Sequence, residues 1–298
     1  MLVKKDLFRS SDMGQLMRHK ENIARIIFSS AAISSAVLTL SVLGFMILLS
    51  LPIMKTGMLW KILTDPWAPD HGKFGIPAMI VGTFYIASFS LLISFPISLG
   101  CSFFIQIIRP DSPGRFLKKL VQLMTAIPTV IYGFIGIFLL VPIVREMFSY
   151  GSGMSILSAS LMLGILISPT MVLFFCQSFA RVPKRFLNAV DALGGTSFQK
   201  LFCVILPHAW PGVLTGLVLA FGRAMGDTMI ALMISGNSVI LPSSILDSAR
   251  TLTAHIAMII AADFDSIEFK TIFICGGVLY MMTSCGILLA RVSDRKQH

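Results

Sequence analysis

The chain has 298 residues, of which 55% are apolar and only 13% charged, with a mean hydropathy of +0.85. Soluble domains carry roughly 25% charge, so this composition excludes an ordinary water-soluble fold. The formal net charge of +10 does not point to nucleic acid, because the basic residues gather at the ends of apolar runs, with no interleaved aromatic and basic patch.

Residues 1–25 are polar and basic, with Lys4, Lys5, Arg9, Arg18, Lys20 and Arg25, and are expected to form a cytoplasmic tail. The apolar run over 26–53 is longer than a signal-peptide core and lacks a small-x-small cleavage site, so it reads as a retained anchor ending at the Pro52 break. A hydrophilic loop with Trp60, Asp65 and Trp67 follows, the tryptophans suiting a water–lipid boundary. The second span covers 76–108, and Pro96 is expected to kink or break it. Arg109-Pro110-Asp111-Ser112-Pro113-Gly114-Arg115 cannot continue a helix and forms a loop.

A third span follows Lys118-Lys119 to about residue 144 and contains the small-residue run Gly133-Phe134-Ile135-Gly136. The fourth occupies 155–179 and the fifth 211–234. Prolines inside spans, such as Pro169, require packed protein neighbours that re-satisfy the freed carbonyls. The longest loop, 235–269, holds apolar pieces too short to span, so the stretch 254–260 is expected to lie on the outer face or re-enter shallowly. A sixth span over 271–290 and a basic tail over 291–298 end the chain.

The fold class expected is an all-α membrane protein with six transmembrane helices, its membrane domain being 26–290. Of the 24 Lys and Arg residues, 17 lie in the N-terminus, the 109–119 and 181–206 loops and the C-terminal tail, against 6 on the alternate side. That asymmetry places both termini in the cytoplasm. The five cysteines show no CxxC or Cys/His metal spacing and read as free core thiols, with no metal or cofactor implied. The five histidines are scattered and form no HExxH or nucleophile constellation, so no catalytic residues are assigned and a membrane-embedded enzyme is disfavoured.

Two stretches carry chemistry. In the cytoplasmic segment 181–206, Phe186, Leu187, Val190 and Leu193 share a face of a short helix after Pro183. Gly194-Gly195 allows the chain to reverse, because glycine tolerates positive φ. Thr196 or Ser197 can cap a second helix bearing Phe198, Leu201, Phe202 and Ile205, which Pro207 and Pro211 are expected to close. Two amphipathic helices around an elbow beneath a membrane present apolar knobs to a soluble partner. In span five, Arg223 and Asp227 stand four residues apart and are expected to pair on one helix face. Each costs about 2.5–3.5 kcal/mol at a helix centre in lipid, which places this helix inside the bundle. Gly212, Gly216, Gly222 and Gly226 supply small-xxx-small patterns for close packing. Arginine offers a planar donor fork to an oxyanion, and a carboxylate can accept the proton that phosphate retains near neutral pH but sulfate does not.

The order Ala189, Gly194, then Val204-Ile205-Leu206-Pro207 resembles the EAA loop of ABC-importer permeases, with Asn188 where that motif usually has an acidic residue. GRAMGDTMIALMISGN (222–237) resembles the GRAxGET…GN signature of phosphate-specific ABC permeases of the C-type subunit, with Asp227 in place of the usual glutamate. FGIPAMIVGT (74–83) and IPTVIYGF (127–134) are similar to further parts of that subunit. The resemblance spans about residues 70–292 and implies a type I ABC-importer permease fold in a bacterial inner membrane. It implies that Ala189, Gly194, Val204, Leu206 and Pro207 couple to an ABC ATPase dimer, and that Arg223 and Asp227 line the phosphate pathway. It further implies a second, A-type permease subunit as heterodimer partner and a periplasmic phosphate-binding protein. No GxxxxGK[ST] occurs in the chain, so ATP hydrolysis is expected from separate chains. The alternatives are an ABC permease for molybdate or phosphonate, a non-ABC carrier, or a membrane-embedded enzyme.

Overall fold

The computed structural model describes the backbone of residues 3–55 and 57–295, and the side chains of 21–52 and 57–288. The side chains of Lys4, Lys5, Arg9, Arg18, Lys20, Arg291 and Arg295, and all of Lys296, lie outside the described residues. Two compact units emerge, Met1–Leu51 and Pro52–His298. The first is one helix, α1, which runs Val3–Lys55 and continues through Pro52, where a break was expected. Its apolar stretch Glu21–Pro52 is 32 residues long. At 1.5 Å per residue it spans about 48 Å, more than the hydrocarbon requires. The hydroxyls of Ser30, Thr39 and Ser50 donate back to the carbonyls of Ile27, Ser35 and Met46, so they need no water inside lipid.

The second unit is a helix bundle with one small β-ribbon, Trp67–Ala68 (β1) paired antiparallel with Lys73–Phe74 (β2), after a short helix α2 (Met58–Thr64). α3 (Pro77–Phe103) runs unbroken through Pro96 and ends in a π-turn, Phe104–Ile108. α4 (Ser112–Thr125) is an amphipathic helix of its own and does not belong to the third span. The reason is Ile127-Pro128: Pro128 is extended (φ −59°, ψ 140°), and the residue before a proline avoids the helical region. The third span is Thr129–Phe148, made of α5 (Thr129–Ile135), a π-turn (Gly136–Leu140) and α6 (Val141–Phe148). α7 (Ile156–Ala180) is the fourth span, and its N-cap Ser155 accepts the Ser158 N–H.

α8 (Lys184–Ala192) lies on the cytoplasmic side of the expected topology, followed by α9 (Ser197–Gln199), a π-turn (Lys200–Ile205) and α10 (Leu206–Gly226). Contrary to expectation, Pro207 and Pro211 do not close the second elbow helix. The helical path continues through both, and the fifth span is Ser197–Gly226. The π-turn explains this: Leu206 N–H reaches Leu201 O, and this wider turn leads into Pro207, which has no N–H to give. The π-turn before Pro142 uses the same device. Short α11 (Met229–Ile234) and α12 (Leu252–Ile259) precede α13 (Ile267–Arg295), which holds the sixth span, Ile267–Leu288.

α7 is the most buried span, and α3 packs along it more extensively than any other pair of helices. Serines set their closeness. Ser90, Ser94, Ser98 and Ser102 repeat every four residues on α3 and are all fully buried. Ser98 Oγ donates to Ser168 O (3.3 Å) and Ser102 Oγ to Val172 O (3.2 Å), while Ser160 Oγ of α7 donates to Ile86 O (3.4 Å). Pro169 withholds the N–H that Ile165 O would receive, and Ser168 Oγ supplies the donor instead (3.1 Å). Of the cysteines, Cys176 and Cys275 are core thiols, whereas Cys203 and Cys285 are exposed, because their helices turn those faces outward.

Ser98→Leu forces a larger side chain into the fully buried α3–α7 seam, at a cost of about 1–3 kcal/mol. A thermal melt in detergent is expected to show a loss of roughly 2–8 °C, with Ser98→Ala close to the parent.

Candidate functional site

Arg223 sits on the last turn of α10, half-buried, and its Nη1 donates to Thr170 Oγ1 of α7 at 2.9 Å. The expected Arg223–Asp227 ion pair does not form. α10 stops at Gly226, and Asp227 is extended (φ −73°, ψ 123°), so the i, i+4 geometry of a continuous helix is lost. Asp227 Oδ2 accepts the Ile230 N–H at 2.8 Å and thereby starts α11. Span five therefore does not run as one helix to residue 234. The break is held from the far side by α12, where Thr253 Oγ1 donates to Asp227 O (3.0 Å) and shares a hydrogen bond with Thr251 Oγ1 (3.0 Å).

Small residues place these groups. Gly216 of α10 meets Phe174 and Phe175 of α7 at 3.0–3.1 Å from where a Cβ would stand, and Gly212 lies against Ser178. Gly222 and Gly226, expected to act likewise, have no atom within 4 Å of that position. Gly133 of α5 and Gly136 of the π-turn after it admit Met233 and Ile234 of α11. Tyr132, beside Gly133, donates to Met124 O (3.1 Å) and lies within the electrostatic range of Arg223.

α12 is tucked against the bundle by its first turn. Leu252, Thr253, Ala254 and His255 are buried, and Leu252 N–H donates to Thr83 Oγ1 of α3 (2.9 Å). The loop before it is ordered around Asp247, whose Oδ2 accepts from Ser243 N, Ser243 Oγ and Ser244 N, while Tyr150 donates to Oδ1. The Ser243 backbone N–H, followed by the Ser243 hydroxyl and Ser244 N–H, holds this carboxyl below its ordinary value. Asp247 O and Ile245 O accept from Ile156 N and Leu157 N, so the loop caps α7. Arg250 Nε donates to Asn237 O at 3.1 Å, and a parallel bridge joins Gly236 to Ala249. His255 is fully buried edge-on to Trp67 (centroids 4.3 Å), and burial, with Arg250 adding, pushes its ring down to about 4.

The elbow is a closed local motif. Leu193 ends α8, Gly194 takes φ +71°, and Gly194 N and Gly195 N donate to Asp191 O (3.0 Å) and Val190 O (2.8 Å). These are the two hydrogen bonds of a Schellman motif. Thr196 and Gln199 form a reciprocal capping box, and Lys200 pairs with Asp191 across the turn. Ala189, Gly194 and Pro207 are exposed, while Val204 and Leu206 are half-buried. Leu193, Phe198 and Phe202 are 87, 66 and 55% exposed, and an open cleft of about 520 Å³ is lined by Phe202, Leu206, Pro207 and Trp210.

The sequence reading missed Thr170, Tyr132, Thr253 and Arg250. Thr170 alone carried a local signal, a hydroxyl directly after a proline in an apolar span. The others reach the site only through the packing of α5, α11 and α12.

Six apolar helices of spanning length, a broken fifth span and a helical elbow between spans four and five are features of type I ABC-importer permeases. Solved inward-facing structures of the methionine ABC transporter MetNI share the fold, with TM-scores of 0.56 and 0.54 at 15 and 17% identity. They cover 73 and 79% of this chain, and 96 and 97% of theirs. Residues 94–296 match the family model for the inner membrane component of binding-protein-dependent transport systems, and the chain belongs to that family. It is similar to a probable ABC transporter permease protein, YqgH, of Bacillus subtilis (34% identity, covering 78% of this chain and 76% of that one). It is also similar to the phosphate transport system permease protein PstC of Xylella fastidiosa (29% identity, 76 and 75% covered). A probable PstC of Methanocaldococcus jannaschii is 28% identical, with 84 and 85% covered. The protein is thus a multi-pass inner-membrane transport subunit of an ABC importer.

Two outcomes follow. A methyl on Gly195 collides with Val190 Cγ1, so Gly195→Ala is expected to accelerate amide hydrogen exchange across 190–199 while the spans stay protected. For His255, the folded value near 4 lies below the unfolded value of about 6.5. The unfolded chain binds more protons in that window, so stability falls as pH drops from about 6.5 towards 4. Melting temperatures at pH 7 and 5 are expected to diverge in the parent and to converge in His255→Phe.

Proposed function

We propose that this chain is the C-type permease subunit of an ATP-driven phosphate importer, and that Arg223 and Asp227 lie on the phosphate pathway. The observation that carries the reading is their separation. Arg223 is held by Thr170, and Asp227 keeps Oδ1 uncommitted while Oδ2 caps α11. A cation and an acceptor that do not neutralise each other can both engage a protonated oxyanion, the guanidinium taking oxygens and the carboxylate taking the O–H. Sulfate has no such proton to offer. The similarity to phosphate transport system permeases supports the same substrate.

The apolar knobs Leu193, Phe198 and Phe202 suit the groove of an ATPase subunit, with Ala189, Gly194, Val204, Leu206 and Pro207 giving the elbow its shape. An ATPase pair below, an A-type permease alongside and a periplasmic phosphate-binding protein above complete the assembly. Closure of the ATPases on ATP moves the elbow, and the continuous helix from Ser197 into α10 carries that movement to Arg223 in an alternating-access cycle. In this assembly residues 1–25 are a cytoplasmic N-terminal tail, 26–290 the permease domain and 291–298 a cytoplasmic C-terminal tail.

Radiolabelled phosphate uptake in cells lacking other phosphate permeases tests the reading. Arg223→Gln is expected to lower uptake by about tenfold or more with ATPase co-purification unchanged. Leu193→Asp is expected to lose the ATPase instead. Parent-like uptake by Arg223→Gln removes that residue from the pathway. No phosphate uptake by the parent complex, with molybdate or phosphonate transported, replaces the substrate.

A further inference from the structure

Arg250 has no part in the sequence motifs, yet its setting is unusual. It is half-buried, and among the described residues its side chain makes one hydrogen bond, from Nε to Asn237 O. Among the described residues no carboxylate pairs with it; the ion pair found there is Lys200–Asp191. Its surroundings supply no negative charge. His255, close enough to feel Arg250, is fully buried with both ring nitrogens unpartnered, and burial keeps that ring neutral at pH 7. Asn237 is bound through Nδ2 to Leu232 O, while its buried Oδ1 has no partner. A half-buried guanidinium without a counter-charge is costly, and an anion that visits it lowers that cost.

The position is defined along the bundle. Arg250 O packs against Gly82, five residues into α3, and the preceding loop caps the start of α7 at Ile156 and Leu157. Arg223 is tied to Thr170, fourteen residues further along α7 from Ile156. At 1.5 Å per residue the two backbone levels differ by about 20 Å, too far for one small oxyanion to bridge. Thr251 and Thr253 connect the Arg250 segment to the Asp227 carbonyl between them.

We propose that Arg250 is a second oxyanion-binding residue, an outer station that the anion occupies before it passes the Asp227 break to Arg223. This rests on the oxyanion reading above. The free Nη donors receive the anion, and the Nε bond to Asn237 O holds the fork in place. The orphan Oδ1 of Asn237 supplies an acceptor for the proton of a protonated oxyanion.

The test uses the complete transporter in proteoliposomes with its binding protein. Arg250→Cys is made in a background in which Cys101, Cys203 and Cys285 are serine, and phosphate uptake is read with and without thiol reagents applied from outside. Arg250→Cys is expected to lower uptake by about tenfold with the complex still assembled, and a cationic ethylammonium thiosulfonate restores it to within about threefold. An anionic ethylsulfonate reagent does not restore it, and excess phosphate slows the modification. Parent-like uptake by Arg250→Cys, or equal restoration by both reagents, overturns the proposal. If the cysteine variant fails to assemble, Arg250→Lys decides. Assembly with uptake within about threefold of the parent supports the charge, and failure of either overturns it. A parent complex that moves no phosphate overturns the phosphate reading, whereas a transporting parent indifferent to Arg250 overturns this inference alone.

Discussion

The bundle depends on how closely its neighbours can approach α7. In lipid, apolar surface gives helices little reason to associate, so close backbone approach and hydrogen bonds between helices must do it. α7 receives both. The serine ladder of α3 brings hydroxyls to its carbonyls at Ser168 and Val172, and Gly212 and Gly216 bring α10 against Ser178, Phe174 and Phe175. This approach puts Arg223 beside Thr170. A bulkier residue on either seam would move the guanidinium as well as weaken the fold.

The second organising event is the stop at Asp227. A continuous helix would have let Arg223 and Asp227 neutralise each other on adjacent turns. Ending α10 at Gly226 redirects the carboxylate to the Ile230 N–H, so both charges keep unspent valence. The break leaves backbone groups that lipid could not satisfy, and protein satisfies the carbonyl of Asp227 through Thr253. The irregular backbone at this break is satisfied because α12 packs over it. The loop that delivers α12 is itself fixed, by Asp247 gathering the Ser243 and Ser244 donors and by its caps on α7.

At the other end, rigidity is obtained locally. The Schellman bonds to Val190 and Asp191, the Thr196–Gln199 capping box and the Lys200–Asp191 pair all lie within a few residues of Gly194. Such a locally bonded motif draws its shape from its own residues, which suits the coupling role proposed for it. The π-turn at Lys200–Ile205 lets the helix absorb Pro207 and Pro211 without stopping, so elbow and span are one mechanical piece.

The sequence by itself determined the class, the six spans and the elbow. These rest on local terms: hydropathy over about twenty residues, the positive φ that Gly194 tolerates, and the cap at Thr196. It also singled out Arg223 and Asp227, since a charge in an apolar helix is visible without any fold. What only the tertiary structure decided is how those charges are used. Whether Pro207 ends a helix depends on a π-turn upstream, and whether Arg223 pairs with Asp227 or with Thr170 depends on α7 lying one glycine-width away. Arg250 looked like an ordinary loop cation until α3, α11 and α12 enclosed its neighbourhood. Such outcomes are set by which distant backbones come close enough to exchange hydrogen bonds, and no spacing along the chain encodes that.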